Sequence, residues 1–182
     1  DRIVPRQSPS SLIRASITRL FGCGNGIMLG DLARFGEVTG MDNSPLALEF
    51  CRRRGHTRLL QAEIADLAGR PERYDLITGF DLIEHVEDDA GAVRALAGAL
   101  NPGGRIFVTV PAFPWLWSHH DLINRHQRRY RPGELRRLLT AAGLEIEKMS
   151  FFNSLLFPGI AAVRLVQKLV ARELVPQHDL QL

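Results

Sequence analysis

Cysteine is nearly absent from this 182-residue chain: only Cys23 and Cys51 occur. Two thiols argue against a disulfide scaffold and fit a reducing compartment. No C-x-x-C or H-E-x-x-H spacing is present, so no metal site is expected. No run reaches the roughly 20 apolar residues that span a bilayer, and the first residues lack the apolar core of a secretory leader. A cytoplasmic location is therefore the expectation. Internal repeats and low-complexity tracts are missing as well. Charge of one sign is scarce: the net charge of +3 is too small to argue for nucleic acid by itself. The basic residues nonetheless cluster at 52–54, 125–131 and 136–137. Hydrophobic content of 45% and charged content of 24% are ordinary for one soluble domain with a substantial core.

Against these absences stands Gly22-Cys23-Gly24-Asn25-Gly26, with Asp42 sixteen residues beyond the last glycine. Alternate glycines let a strand turn sharply into a helix and let backbone N–H groups approach a ligand. An acid at the end of the next strand is placed to accept hydrogen bonds from a ribose diol. The pattern points to a nucleoside-containing cofactor in an α/β fold.

Strand and helix patterns alternate along the chain. Strands are expected at 17–21, 37–41, 58–62, 74–80 and 105–110, with a sixth at 144–152. Arg19 is unusual for a buried central strand. Helices are expected at 27–35, from Ser44-Pro45 to about Arg54, at 89–100 and at 132–142. Asn101-Pro102-Gly103-Gly104 reads as a tight turn. Near-continuous apolar strands between helices imply a doubly wound, mostly parallel sheet buried on both faces. The connection 111–131 is long and rich in Trp, His and Arg, which marks it as a functional loop or a disordered one.

A nicotinamide fingerprint, G-x-G-x-x-G, would need glycine where Ile27 stands; the chain has G-x-G-x-G. With V-T-G-M-D-N-S-P from Val38, Q-A-E-I-A-D-L from Gln61, Y-D-L-I-T-G-F-D-L-I-E-H-V from Tyr74 and L-N-P-G-G-R-I-F-V-T-V-P from Leu100, residues 16–150 resemble the class I S-adenosylmethionine-dependent methyltransferases. The resemblance implies a Rossmann-like sheet and S-adenosylmethionine as cofactor. It implies that Gly22, Cys23, Gly24 and Gly26 border the methionine portion and that Asp42 holds the ribose. Met41 or Asn43 would lie beside the adenine. Glu63 would accept from the adenine amino group, the N–H of Ile64 would reach a ring nitrogen, and Phe80 and Asp81 would line the sulfonium end. Two departures stand out. Leu20 occupies a position where the family usually has an acid, and no convincing strand follows Phe152, so a seventh strand is absent or replaced.

Methyl transfer from a sulfonium needs a nucleophile held about 3 Å from the methyl group, and an oxygen or nitrogen nucleophile needs a base. The segment 115–130 offers aromatic surface, imidazoles and cations. His120, Asp121, His126, Arg129 and Tyr130 are the candidate acceptor-site residues. Arg128, Arg129 and Arg131 would clamp a phosphate or carboxylate, although a solvated loop with Trp115 and Trp117 packed on the core fits the same pattern. His85 is read as either a cap or a substrate contact.

Residues 1–150 are expected to form the cofactor-binding domain, with 151–182 an apolar and amphipathic extension of it. Arg164, Lys168 and Arg172 share a helix face there. That pattern suits peripheral membrane contact through 151–172 or a lipid-like acceptor, and equally a helix packed on the sheet. The expected activity is methyl transfer to a small-molecule or lipid-linked acceptor. A non-catalytic binding module and a nicotinamide-dependent oxidoreductase are the rivals. Nucleic acid is not expected as a partner, since no N/D-P-P-Y/F motif follows the fourth strand.

Overall fold

A computed structural model describes residues 17–152 and 154–173. Five parallel strands form one sheet: β1 (Ile17–Phe21), β2 (Glu37–Asp42), β3 (Leu59–Gln61), β4 (Tyr74–Phe80) and β5 (Leu100–Thr109), in the order β3-β2-β1-β4-β5. Between them run α1 (Ile27–Leu32), α2 (Pro45–Arg53) and α3 (Asp89–Gly98). The chain continues through α4 (His119–Ile123), α5 (Pro132–Ala141) and α6 (Phe157–Glu173).

Period-two alternation sends neighbouring residues of β1 to opposite faces. Leu20 packs with Cys23, Leu29, Leu48 and Cys51 on the α1/α2 side. Phe21 packs with Met41, Ile77, Val93 and Leu96 on the α3 side. Arg19 shares the face of Phe21 and is buried, 6% exposed. Its guanidinium lies 4.3 Å from the centre of the Tyr74 ring, and its Nη1 is 3.7 Å from the Met41 sulfur. Burial lowers its pKa, and the ring face supplies part of the lost solvation.

The predicted cap on α2 forms: Ser44 Oγ accepts from the Ala47 N–H at 3.3 Å, with Pro45 in the first turn. α1 stops at Leu32, short of the expected Phe35, because Phe35 N–H closes a tighter turn on the Leu32 carbonyl. The turn at 101–104 lies inside β5 as a bulge. Tyr74 faces Leu100 but Leu76 faces Arg105, and Gly103 takes a φ of 78°.

The expected sixth strand at 144–152 is a correction. The segment is irregular, and among the described residues the sheet ends at β5. Its alternate exposure, with Leu144 on the core and Glu147 paired to Arg105, is that of an extended segment laid on the surface. Alternation signals one covered face; it does not by itself supply a ladder partner.

Candidate cofactor and acceptor site

Strand register gathers the site. Phe21 stands opposite Met41 on β2 and Gly79 on β4, Asp42 opposite Gln61, and Phe80 opposite Thr109. The loops leaving all five strands therefore emerge at one edge. β1 is flanked by β2 on one side and β4 on the other, which is the strand-order reversal where open α/β sheets bind ligands.

On the β1–β2 side, Gly22, Gly24 and Gly26 have φ of 61°, 51° and 81°. A Cβ at Gly22 would stand 3.1 Å from Leu82 Cδ1, and one at Gly26 would stand 2.9 Å from Cys51 Sγ. Gly24 N–H donates to Asp42 Oδ2 and Ser44 N–H to Asp42 Oδ1, both at 2.9 Å. Each oxygen keeps a second lone pair, so the oriented carboxylate can still accept from a diol. Asn43 is exposed beside it. Met41 is 2% exposed and lies in the core, so of the two residues proposed beside the adenine only Asn43 faces solvent. Glu63 is exposed, its N–H bonded to Asp66 Oδ2 at 2.8 Å, while the Ile64 side chain packs in the core beneath. Cys23 is buried 3.6 Å from the Cys51 sulfur; burial, then its bond to Cys51, pushes its thiol up to about 12. It is a small packing residue, not a nucleophile.

Across the reversal, Phe80 packs with the α1/α2 core, its ring 5.7 Å from that of Phe107. Asp81 turns the chain with a φ of 47° and is held by three bonds to Thr109: Asp81 N–H donates to the Thr109 carbonyl and to Oγ1, and Oγ1 donates to Asp81 Oδ1, each at 3.1 Å. From Asp81 opens a cleft of about 430 Å³ lined by Asp81, His85, Pro111, His120, Asn124, His126 and Arg129. That volume suits a small molecule.

The connection 111–131 is ordered around Asp121, which is fully buried. Its carboxylate accepts from Ser118 N–H at 2.8 Å, Arg129 Nε at 2.7 Å and Nη2 at 3.1 Å, and His126 Nδ1 at 2.9 Å. Burial opposes its charge, but the bonds from Arg129, His126 and Ser118 override that and hold it at about 2. Asp121 thus lies behind the cleft wall and aims His126 and Arg129. Tyr130 faces away: it is 5% exposed, and its hydroxyl donates to Asp89 Oδ2 at 2.9 Å. Burial, then Asp89, raises its pKa. The three-arginine clamp is also a correction. Arg128 pairs with Asp89, Arg129 with Asp121 and Arg131 with Glu134, so each cation already has a carboxylate. Of the five candidate acceptor-site residues, His120, His126 and Arg129 line the cleft.

Sequence reasoning missed Glu84. It is fully buried in the turn Ile83–His85, and neither carboxylate oxygen has a hydrogen-bond partner. Burial pushes its carboxyl up to about 8. One ligand atom each from Glu84, His85 and His126 lie within 4.8 Å of one another, a set able to hold a metal ion. The missed signal was an acid following the apolar run Leu82-Ile83; its partner His126 is too distant in sequence to form a spacing motif.

A parallel sheet with a glycine turn and an oriented carboxylate on one side of the reversal and a polar cleft on the other is an α/β fold that presents a ligand site at its sheet edge. Residues 20–108 match the family model described as a methyltransferase domain. That match spans just under half of the chain, and makes it similar over these residues to the S-adenosylmethionine-dependent methyltransferases. The chain is 36% identical over 149 residues to a ubiquinone biosynthesis O-methyltransferase of Xylella fastidiosa (strain 9a5c), covering 71% of this chain and 61% of that one. With its counterpart from Aeromonas salmonicida it shares 30% over 153 residues, 71% of this chain and 63% of that one. The chain thus spans less than two thirds of these relatives' length. A solved S-adenosylmethionine-dependent methyltransferase from Mesorhizobium loti has the same fold, with a TM-score of 0.66 at 21% identity, over 83% of this chain and 86% of that one.

The residues present fit the family's cofactor in backbone and charge: left-handed glycines with no room for a Cβ at Gly26 and a tight fit at Gly22, and a carboxylate oriented at the sheet edge. Leu20, 1% exposed, puts hydrocarbon where the family usually places an acid.

Proposed function

We propose that this chain transfers the methyl group of S-adenosylmethionine to a hydroxyl of a small-molecule acceptor. The observation that carries the reading is Asp81, which borders both the β1–β4 reversal and the histidine-lined cleft. Cofactor and acceptor would thus meet at the exit of β4. Bound S-adenosylmethionine supplies an electrophilic methyl group on a sulfonium.

The chain's own residues have distinct tasks in this reading. Gly22 and Gly24 admit the methionine portion, with Cys23 and Gly26 shaping the turn. Asp42 holds the ribose, Asn43 and Glu63 with the Ile64 N–H take the adenine, and Phe80 and Asp81 border the sulfonium. In the cleft, Arg129 and the imidazoles of His120 and His126 face the acceptor, Asp121 supports Arg129 and His126 from behind, and Tyr130 anchors the loop on Asp89. The O-methyltransferase names of the relatives support oxygen as the acceptor atom.

The same reading takes residues 1–150 as the catalytic unit and 151–182 as its extension. No described helix is long and apolar enough to cross a membrane. Ile160, Val163 and Val166 of α6 are each about half exposed, and Phe152 and Leu155 more so, which supports peripheral contact with a membrane or a lipid-like acceptor.

The test is calorimetry with S-adenosylmethionine and S-adenosylhomocysteine, with NAD as control, followed by mass spectrometry of phenolic acceptors incubated with enzyme and cofactor. Micromolar binding of the first two and a 14-Da mass gain on the acceptor oxygen are expected. Absence of binding would favour the second reading, a fold kept without catalysis, for which Leu20 is the motivating observation.

A further inference from the structure

We infer that Glu84, His85 and His126 form a site for one divalent transition-metal ion opening on the acceptor cleft. The ion's role in the reaction rests on the methyl-transfer reading; its binding does not.

The ligand atoms already lie within 4.8 Å of one another. Around an ion bonded at about 2.1 Å, tetrahedral ligands sit roughly 3.4 Å apart, so side-chain rotations of little more than about 1 Å close the site. Glu84 gives the strongest argument. It is 0% exposed, both its oxygens lack partners, and the nearby guanidinium of Arg129 is committed to Asp121. A buried carboxylate without a donor or cation is costly unless something binds there. His126 is oriented as a metal ligand would be. Its Nδ1 faces Asp121 Oδ1 at 2.9 Å, leaving Nε2 with a free lone pair. A carboxylate behind a ligating imidazole fixes tautomer and ring angle. The His85 ring meets that of His126 edge-on, with centroids 4.8 Å apart.

Two imidazoles and one carboxylate suit zinc, manganese, iron or cobalt; calcium and magnesium prefer oxygen cages. Three protein ligands leave coordination positions open, as in catalytic sites. His85 and His126 both line the cleft, so an open position faces the acceptor. There the ion would make an acceptor hydroxyl more acidic. The hydroxyl proton leaves to water in the cleft. The acceptor oxygen forms the new O–C bond as the C–S bond breaks, and that electron pair stays on sulfur.

The experiment titrates tag-free protein with cobalt(II), read by its visible ligand-field bands and by calorimetry, with zinc as competitor. The expected result is one ion per chain, displaced by zinc. Glu84→Gln and His85→Ala should each weaken binding at least about tenfold, and Asp121→Asn about ten- to a hundredfold through His126. His119→Ala, outside the cluster, should not. His85 is exposed, so His85→Ala keeps the test decisive if Glu84→Gln fails to fold. No binding at millimolar ion, or unchanged affinity in His85→Ala, would overturn the inference. S-adenosylhomocysteine calorimetry on the same sample separates the two readings. Cofactor without metal removes the ion alone, and metal without cofactor removes the methyltransferase reading alone.

Discussion

Asp121→Ala should be among the most damaging single changes in the chain, although Asp121 is not part of the cleft lining. The carboxylate is fully buried and accepts from Arg129 Nε and Nη2, His126 Nδ1, Ser118 N–H and, at 3.2 Å, Ser118 Oγ. Alanine leaves the Arg129 guanidinium, 12% exposed, with only its bond to the Ala112 carbonyl at 3.1 Å. Breaking a buried pair from one side costs about 3–5 kcal/mol. Against a total stability of about 5–15 kcal/mol, that is about a fifth or more. For a domain of this size the loss corresponds to a fall in Tm of roughly 6–20 °C. Urea and thermal melts followed by circular dichroism, in EDTA so that metal linkage adds nothing, measure it directly. The pairing origin has its own signature: Asp121→Ala combined with Arg129→Met should cost less than the sum of the single changes by at least about 1 kcal/mol. A loss below about 1 kcal/mol in Asp121→Ala, or strict additivity in the cycle, would refute the argument that this carboxylate organises the loop.

Three further outcomes follow from the geometry. Gly22→Ala should destabilise by about 1–2 kcal/mol, from the left-handed φ of 61° alone, and push Leu82 aside; calorimetry should show weaker S-adenosylhomocysteine binding. With its thiol raised to about 12, Cys23 carries thiolate only at strongly alkaline pH. Native protein at pH 8 should alkylate there about a thousandfold more slowly than a free cysteine, and urea should restore the rate, as peptide mass mapping would show. If α6 meets lipid, the protein should sediment with vesicles, and Val163→Glu together with Val166→Glu should abolish sedimentation while leaving S-adenosylhomocysteine affinity unchanged.

Much of the cofactor half was legible in the sequence because its determinants are local. A glycine at positive φ, a serine followed by proline at a helix start, and the continuous apolar run of β4 each carry their structural reason within a few residues. The segment 144–152 failed for the complementary reason. Its alternation is real, but a strand is defined by a neighbour, and no residue within the segment encodes one. Met41 is a question of parity: β2 turns it into the core on the face shared by Arg19 and Phe21, which register decides and composition does not.

The acceptor half shows how pairing converts residue content into chemistry. Read as composition, 125–131 is a cationic patch suited to an anion. Once folded, Asp89, Asp121 and Glu134 neutralise Arg128, Arg129 and Arg131 one for one, and Tyr130 spends its hydroxyl on Asp89. Facing the cleft are three imidazoles, the Asp81 carboxylate, Asn124 and the already paired Arg129, with one buried carboxylate, Glu84, next to His85. A site stripped of free cations in this way has little electrostatic preference for a phosphate or carboxylate. Its selectivity would rest on shape and on groups that bind or deprotonate a neutral hydroxyl. Glu84, buried with neither oxygen partnered while the arginines around it are held by other carboxylates, is therefore the group through which the proposed ion would act on a neutral hydroxyl.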